Sequence, residues 1–238
     1  MADGFVHPFG QPVTQVVLDS LEPDLVRVEG EDAHHLAHAL RLAPGGTFVA
    51  TDGRGNVAHL EAQKVERRGI EARVLERATV PAREPRLWLV AEAAGGRGDW
   101  IVEKAVELGA HAFLPLGEAT AGRGARWGRV ARAGLKQSLS AWELRFPEGR
   151  AIDRAREVGP KATWIAHPGG EPVLSQVLPP QGDVFLVSGA PSGFAPGERE
   201  AFEGLEGAKR VDLGDLRLRA ETAALLLLAA AALGRRKL

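Results

Sequence analysis

From Pro85 onward, short apolar runs alternate with amphipathic ones, and this alternation limits the fold more than any other feature of the chain. "RLWLVAE", starting at Arg86, reads as a strand, and "DWIVEKAVELG", starting at Asp99, as a helix. Gly109 is a suitable stop for that helix, because glycine adopts the left-handed conformation in which helices end. Strand "AHAFLPL" follows, then a helix around Trp127 to Trp142, strands "ATWIAHP" and "DVFLVSG", helix "GEREAFEGL", strand "KRVDLG" and a last helix. Strands that are apolar along almost their whole length are covered on both faces, and alternation with helices makes them parallel. The expectation is an α/β parallel sheet. Ligands of such sheets collect at loops beyond the carboxyl ends of the strands. Three loops fit that place: "AHPGG" at 166–170, "SGAPSGF" at 188–194 and "LGDLRLR" at 213–219.

The first 80 residues follow a different rule. "TQVVLDS", "DLVRVEG", "GTFVATD" and "NVAHLEA" are short, Val-rich and separated by turn residues, and "VERRGIEARVLE" reads as two strands about a turn at Arg68-Gly69. One helix interrupts them, "EDAHHLAHALRL", with Leu36, Ala39 and Leu40 expected on one face. A small barrel with one helix is the economical reading. "RATVPAREP" carries two prolines and weak periodicity. The expected division is therefore a barrel over 1–77, a linker over 78–85 and the α/β domain over 86–238.

Lys and Arg total 30 against 31 Asp and Glu, which excludes a globally basic nucleic-acid binder but not a local basic patch. With no Cys there is neither a disulfide nor a thiolate metal site, which fits a reducing compartment. "MADGFVHPFG" lacks the basic-then-apolar order of a signal peptide. The longest apolar run, Ala223 to Leu233, is shorter than the roughly 20 residues that span a bilayer. A cytoplasmic protein without a membrane segment is expected.

Five stretches carry candidate chemistry. "VAEAAGGRGDWIVEKA" resembles a dinucleotide fingerprint through Gly96 and Gly98, with Glu118 further on, but Ile101 occupies the place of the third glycine. The alternative is a loop feeding a helix. In "HHLAH", His34 and His38 are one helical turn apart, yet no third ligand follows, so a surface role outweighs a metal. Arg123, Arg126, Arg129 and Arg132 recur at every third residue around Trp127, which makes either a phosphate- and base-contacting ridge or a solvated face. "LVSGAPSGFAPGERE" offers backbone N–H groups at a strand end, or a tight turn. In "LRLRAE", an extended backbone sends Leu216 and Leu218 one way and Arg217 and Arg219 the other. Helix-start electrostatics account for Glu221 but not for the arginines, which the dipole disfavours there.

In this order the stretches resemble the RsmE family, SPOUT-class enzymes that methylate N3 of a uridine in 16S ribosomal RNA. "HHLAHALRLAPGGTFVATDGRG" is similar to the family's PUA-like segment "HHL…VLR…G". "EKAVELGAHAFLPL", "RWGRVARAGLKQS", "SGAPSGFAPGE" and "LGDLRLRAETA" resemble "qKatELGv..I.P", "RW..i..eA.eQS", "IGPEGGFs..E" and "LG.RILR.ETA". The match covers nearly the whole chain. It departs from the family at Ala190, Pro191 and Ser192, which stand for Pro, Glu and Gly, and at Leu216 and Arg217, which stand for the "RI" pair.

The resemblance implies a SPOUT-type parallel sheet with a deep C-terminal trefoil knot, preceded by a small PUA-like β-barrel that binds RNA. It implies S-adenosylmethionine bent among the three loops, held by Ala166, His167, Val187, Ser188, Gly189, Gly193, Leu213, Gly214, Leu216 and Leu218. It also implies a homodimer with the active site at the subunit interface, 16S ribosomal RNA or the small ribosomal subunit as partner, and no metal. Arg41, Arg123, Arg126, Arg129 and Arg132 are the expected RNA contacts. Arg219 is the expected stabiliser of charge developing on the uracil, with Glu221 orienting it or accepting the proton. The rival readings are an RNA-binding protein of this fold that has lost methylation, and a nicotinamide-dependent oxidoreductase using Gly96 and Gly98.

Overall fold

Alternating Val residues build the first sheet. In β2 (Leu25–Glu29), Val26 and Val28 are buried while Leu25, Arg27 and Glu29 face outward, the period of a half-covered strand. The computed structural model describes residues 7–10, 14–66, 69–93, 96–117 and 123–235. The chain divides into two units, the first comprising residues 1–82 and 135–143, the second 83–134 and 144–238.

The first unit contains β1 (Gln15–Val17), β2, α1 (Gly30–His34), β3 (Thr47–Thr51), β4 (Asn56–Glu66) and β5 (Gly69–Thr79). They form a five-stranded sheet in the order β1-β3-β4-β5-β2, antiparallel except for β1 with β3. β4 runs unbroken from "NVAHLEA" into "VE", so two expected strands are one. Register shifts after His59 and Ala62 mark bulges, which bend and twist such a long pair. The core gathers Val16, Val26, Val28, Leu36, Phe48, Leu60 and Ile70. The return segment 135–143 is fastened by Gln15, whose Nε2 donates to Leu135 O and Ser140 O at 3.2 and 2.9 Å. Trp142 Nε1 donates to Val80 O at 3.0 Å. The indole also packs on Gly55, where a Cβ would meet it at 2.5 Å.

The expected face of Leu36, Ala39 and Leu40 is corrected. α1 widens into a π-helical turn over His35–Ala39, so only Leu36 is buried while Ala39 and Leu40 are exposed. A π-turn holds more residues per turn than an α-helix, which rotates the later positions away from the core.

The second unit contains β6 (Arg86–Ala91), α2 (Arg97–Glu107), β7 (Ala112–Pro115), α3 (Gly124–Gln137, of which the stretch through Gly134 belongs here), α4 (Ala151–Val158), β8 (Ala162–Pro172), β9 (Asp183–Val187), α5 (Glu198–Glu203), β10 (Ala208–Asp212) and α6 (Ala220–Gly234). α4 has no counterpart in the sequence reading. The sheet is parallel throughout, in the order β10-β8-β9-β6-β7. Every residue of β7 and β9 is buried, as two covered faces require. α6 lies against β6, β8, β9 and α2 and buries Ala224, Leu225, Leu227, Leu228 and Ala231. Each buried Leu contributes about 1.5–3 kcal/mol. Arg235 then donates to Leu108 O and Gly109 O at 3.2 and 3.0 Å, joining the end of α6 to the open carbonyls at the end of α2. Among the described residues no helix is long and apolar enough to cross a membrane.

Candidate active site

Three adjacent strands, β10, β8 and β9, end side by side, and the loops leaving them enclose a cavity of about 560 Å³. The first loop arises from a break in pairing. β8 and β10 are in register up to Ile165 and Arg210, and the next partners are Glu171 and Val211, so 166–170 leaves the ladder as an excursion. Gly170 makes the closure of that excursion possible, since a Cβ there would lie 2.6–2.7 Å from backbone atoms of Arg210 and Val211. The second loop turns back tightly, with Gly193 N donating to Ala190 O at 2.8 Å and Gly193 at φ +88°. The third bends at Asp215 and Leu216 before α6 begins.

Of the residues assigned to the cofactor, Ala166, His167, Ser188, Gly189, Gly193, Leu213, Gly214, Leu216 and Leu218 line this cavity. Val187 does not line it; it is fully buried in β9, paired with Val90 and Ile165. The strict alternation expected of 216–219 is not observed, because the segment is bent rather than extended: Arg217 lines the cavity beside Leu216 and Leu218. Leu216 is 81% exposed, an apolar side chain held open at the mouth.

Arg219 is not among the lining residues. It is the exposed N-cap of α6, with φ −70° and ψ 153°. Glu221, in the first turn of the helix, faces Arg97 of α2, with Oε2 3.6 Å from Nη1. Its carboxylate is largely shielded, with 12% of the side chain accessible. The guanidinium it meets is thus Arg97's, and no described ion pair joins it to Arg219.

Of the polar groups on the wall, His167 had been assigned from sequence, whereas Arg199 and Asp212 had not been singled out. His167 Nδ1 is 2.6 Å from Pro168 O, which can only accept, and Nε2 is 3.0 Å from Arg199 Nη1, which can only donate. These partners assign the ring as neutral with its proton on Nδ1. Arg199 continues to Glu203 at 3.2 Å, and Glu203 receives Arg210 at 2.7 and 3.0 Å. The Arg210 bond, more than any other influence, holds the Glu203 carboxyl below its ordinary range. Asp212 accepts Gly169 N and Gly214 N, each at 2.8 Å, and these backbone donors lower its carboxyl likewise. The ionisable groups on the wall are therefore of both signs, with Arg199 and Arg217 against Glu200 and Asp212.

The arginine ridge separates into different roles. Arg123 Nη1 donates to Ala93 O, and Arg126 Nε pairs with Asp99 at 2.7 Å, so both fasten α3 to neighbouring chain. Arg129 is exposed and Arg132 half-buried. Trp127, expected as a base-stacking partner, is 1% exposed and packs edge-on against Phe113 at 5.4 Å; it is core. In the first unit, Arg41 is exposed with a left-handed backbone, φ 53°, just past the π-turn. Gly96 precedes α2 and Gly98 is buried within its first turn; neither lines the cavity, and Glu118 lies outside the described residues. His34 and His38 are exposed with rings 4.4 Å apart, and the described residues contain no group of three metal-binding side chains.

Comparison with known proteins gives this geometry a family. Residues 85–232 match the RNA methyltransferase domain, and residues 28–75 the RNA methyltransferase PUA domain. The chain is 32% identical over 224 residues to ribosomal RNA small subunit methyltransferase E of Mycobacterium bovis, covering 85% of this chain and 84% of that protein. It is 23% identical over 225 residues to the Bacillus subtilis protein of the same name, covering 85% and 88%. Among solved structures, ribosomal RNA small subunit methyltransferase E from Neisseria gonorrhoeae, bound to S-adenosyl methionine, superposes with a TM-score of 0.77 at 25% identity, covering 91% of this chain and 95% of that one. With the family domain matched over most of its length and a relative of this identity across most of both chains, the protein belongs to the RNA methyltransferase family of the ribosomal RNA small subunit methyltransferase E enzymes.

Proposed function

We propose that the chain transfers the methyl group of S-adenosylmethionine to N3 of a uridine in 16S ribosomal RNA. The observation that carries this reading is the cavity walled by the three loops beyond β8, β9 and β10. Its volume, about 560 Å³, lies within the roughly 300–1,000 Å³ of small-molecule sites. Its lining suits a molecule with an apolar ring system and polar ends: Phe194, Leu213, Leu216 and Leu218 supply apolar surface, while His167, Ser188 and backbone groups of Gly189, Gly193 and Gly214 supply polar contacts. Val187 supports the second loop from behind.

When bound, the cofactor supplies a sulfonium methyl that is already electrophilic. The chain's own task is to align the acceptor and exclude water. Uridine N3 becomes nucleophilic as its proton passes to solvent, and negative charge then spreads to the ring carbonyl oxygens. Arg219 cannot take that proton, because a guanidinium stays protonated. It stabilises the developing anion as an oxyanion hole does. Glu221 holds the first turn of α6 through Arg97 and so fixes the mount on which Arg219 stands. Arg41, Arg123, Arg126, Arg129 and Arg132 contact RNA phosphates, with Arg129 carrying the most weight because Arg123 and Arg126 already hold protein partners.

The same reading includes a deep trefoil knot in the second unit and a cytoplasmic homodimer that completes the site at its interface. Leu226 and Leu233 of α6, 39% and 59% exposed, supply apolar surface for a second copy. One observation favours a second reading, an RNA-binding protein without methylation: the cavity wall carries Ala190 and Pro191 where the family has Pro and Glu. Calorimetric titration with S-adenosylmethionine separates the two. One site per chain is expected; absence of binding heat, with binding of RNA retained, would support the second reading.

A further inference from the structure

Asp212 ends β10 at the point where the ladder with β8 resumes, opposite Pro172. Its two oxygens serve two different loops. Oδ2 accepts Gly169 N, in the excursion from β8, and Oδ1 accepts Gly214 N, in the loop that leads to α6, both at 2.8 Å. Both glycines have positive φ, +78° and +118°, and neither is among the paired positions of β8 and β10. No ion pair involves the carboxylate among the described residues, and the two amides are what hold its carboxyl below the usual range. His167, Arg199, Glu200 and Arg217 share the cavity wall with it.

We propose that Asp212 is a positioning residue, whose carboxylate clamps the β8 and β10 loops together and so preforms one wall of the cavity. The inference rests on the reading that this cavity holds S-adenosylmethionine. A wall made largely of backbone groups binds well only if it is ordered beforehand, since ordering it at the moment of binding subtracts from affinity. A carboxylate suits the task because it has an acceptor oxygen for each N–H, and the bonds are charge-assisted. Asn has the same shape but only one acceptor; its NH2 would face the second amide donor to donor. An isosteric change therefore releases one loop, which a merely space-filling role would not register.

The test compares Asp212→Asn and Asp212→Ala with the wild-type chain. Three quantities are read: S-adenosylmethionine affinity by calorimetry, the KM–kcat split in methyl transfer, and hydrogen exchange at the Gly169 and Gly214 amides without cofactor. Asp212→Asn should weaken cofactor affinity roughly 10- to 100-fold, the loss expected of one or two hydrogen bonds to a charged group. The effect should fall on KM for the cofactor rather than on kcat, and exchange should quicken at one or both glycines. Wild-type affinity and unchanged exchange in Asp212→Asn would overturn the clamp. Ala223→Phe, which fills the cavity from α6, separates this inference from the one beneath it. If Ala223→Phe, shown folded, binds cofactor as the wild type does, the cavity assignment fails. If it abolishes binding while Asp212→Asn is silent, only the clamp fails. The exchange measurement tests the clamp in either case.

Discussion

Two arginines two residues apart occupy different surroundings, and this decides what each can do. Arg217 lines the cavity, whereas Arg219 caps α6 outside it. If Arg219 meets charge that appears only in the transition state, Arg219→Ala should lower kcat far more than it weakens cofactor or RNA binding. Loss of one such donor costs roughly 100- to 1,000-fold. Arg219→Lys should recover little, because a point charge does not reproduce the planar fork. Full activity in folded Arg219→Ala would transfer the role to Arg217. A second residue-scale expectation concerns stability. His111, its ring tilted against Trp88 with centroids 5.3 Å apart, has its pKa lowered to about 4, first by burial and then by Arg145 and Arg86. The unfolded chain binds that proton more readily. The contribution is therefore complete above the ordinary pKa of 6.5 and is lost as pH falls toward 4. The ring is only partly buried, so solvent screening keeps the contribution below the roughly 3 kcal/mol that the full shift would carry. Urea denaturation across this window should show a shallower pH dependence in His111→Gln; an unchanged slope would discount the effect. The lining residues on loops 166–170, 188–194 and 213–219 were legible because strand ends announce such loops. Asp212 and Arg199 were not: Asp212 reaches Gly169 and Arg199 reaches His167 from distant points in the chain, and such ties have no linear spacing.

At the scale of elements, the apolar runs translated directly into β6, β7 and β9, and the stop at Gly109 is real, with φ +69°. Other features had no periodic signature. The π-turn after α1 shifts the phase of a pattern that reads as ordinary helix, and α4 is only eight residues, too short for its period to stand out. The excursion of β8 is likewise hidden, because "AHPGG" reads as a strand end although pairing resumes at Glu171. Gly170 tests its geometry. An added Cβ would lie 2.6–2.7 Å from Arg210 and Val211 backbone, which cannot yield as a side-chain tip can. Gly170→Ala should destabilise the fold by about 1–3 kcal/mol, the usual cost of overpacking. A denaturation midpoint equal to wild type would mean that the two strands separate freely there. Trp127 teaches the converse. An aromatic among arginines suggested base stacking, yet its face belongs to Phe113 and the core, since a helix presents different sides at successive positions.

At the scale of the whole molecule, the chain comprises two units with different periodicities. The parallel sheet places three loops together, α6 backs the sheet through a nearly continuous apolar surface, and Arg217 and Arg219 immediately precede that helix. The division into strand-rich and alternating halves was legible from composition and period alone. The return of residues 135–143 to the first unit was not, because it depends on tertiary bonds such as those of Gln15 rather than on any local pattern. The most direct test of the central claim is incubation of the protein with methyl-labelled S-adenosylmethionine and small-subunit RNA lacking the modification, followed by mass-spectrometric mapping of the labelled nucleotide. The account predicts label on N3 of a single uridine in 16S ribosomal RNA. Absence of label from RNA that the protein binds together with cofactor, or label on any other atom, would contradict it.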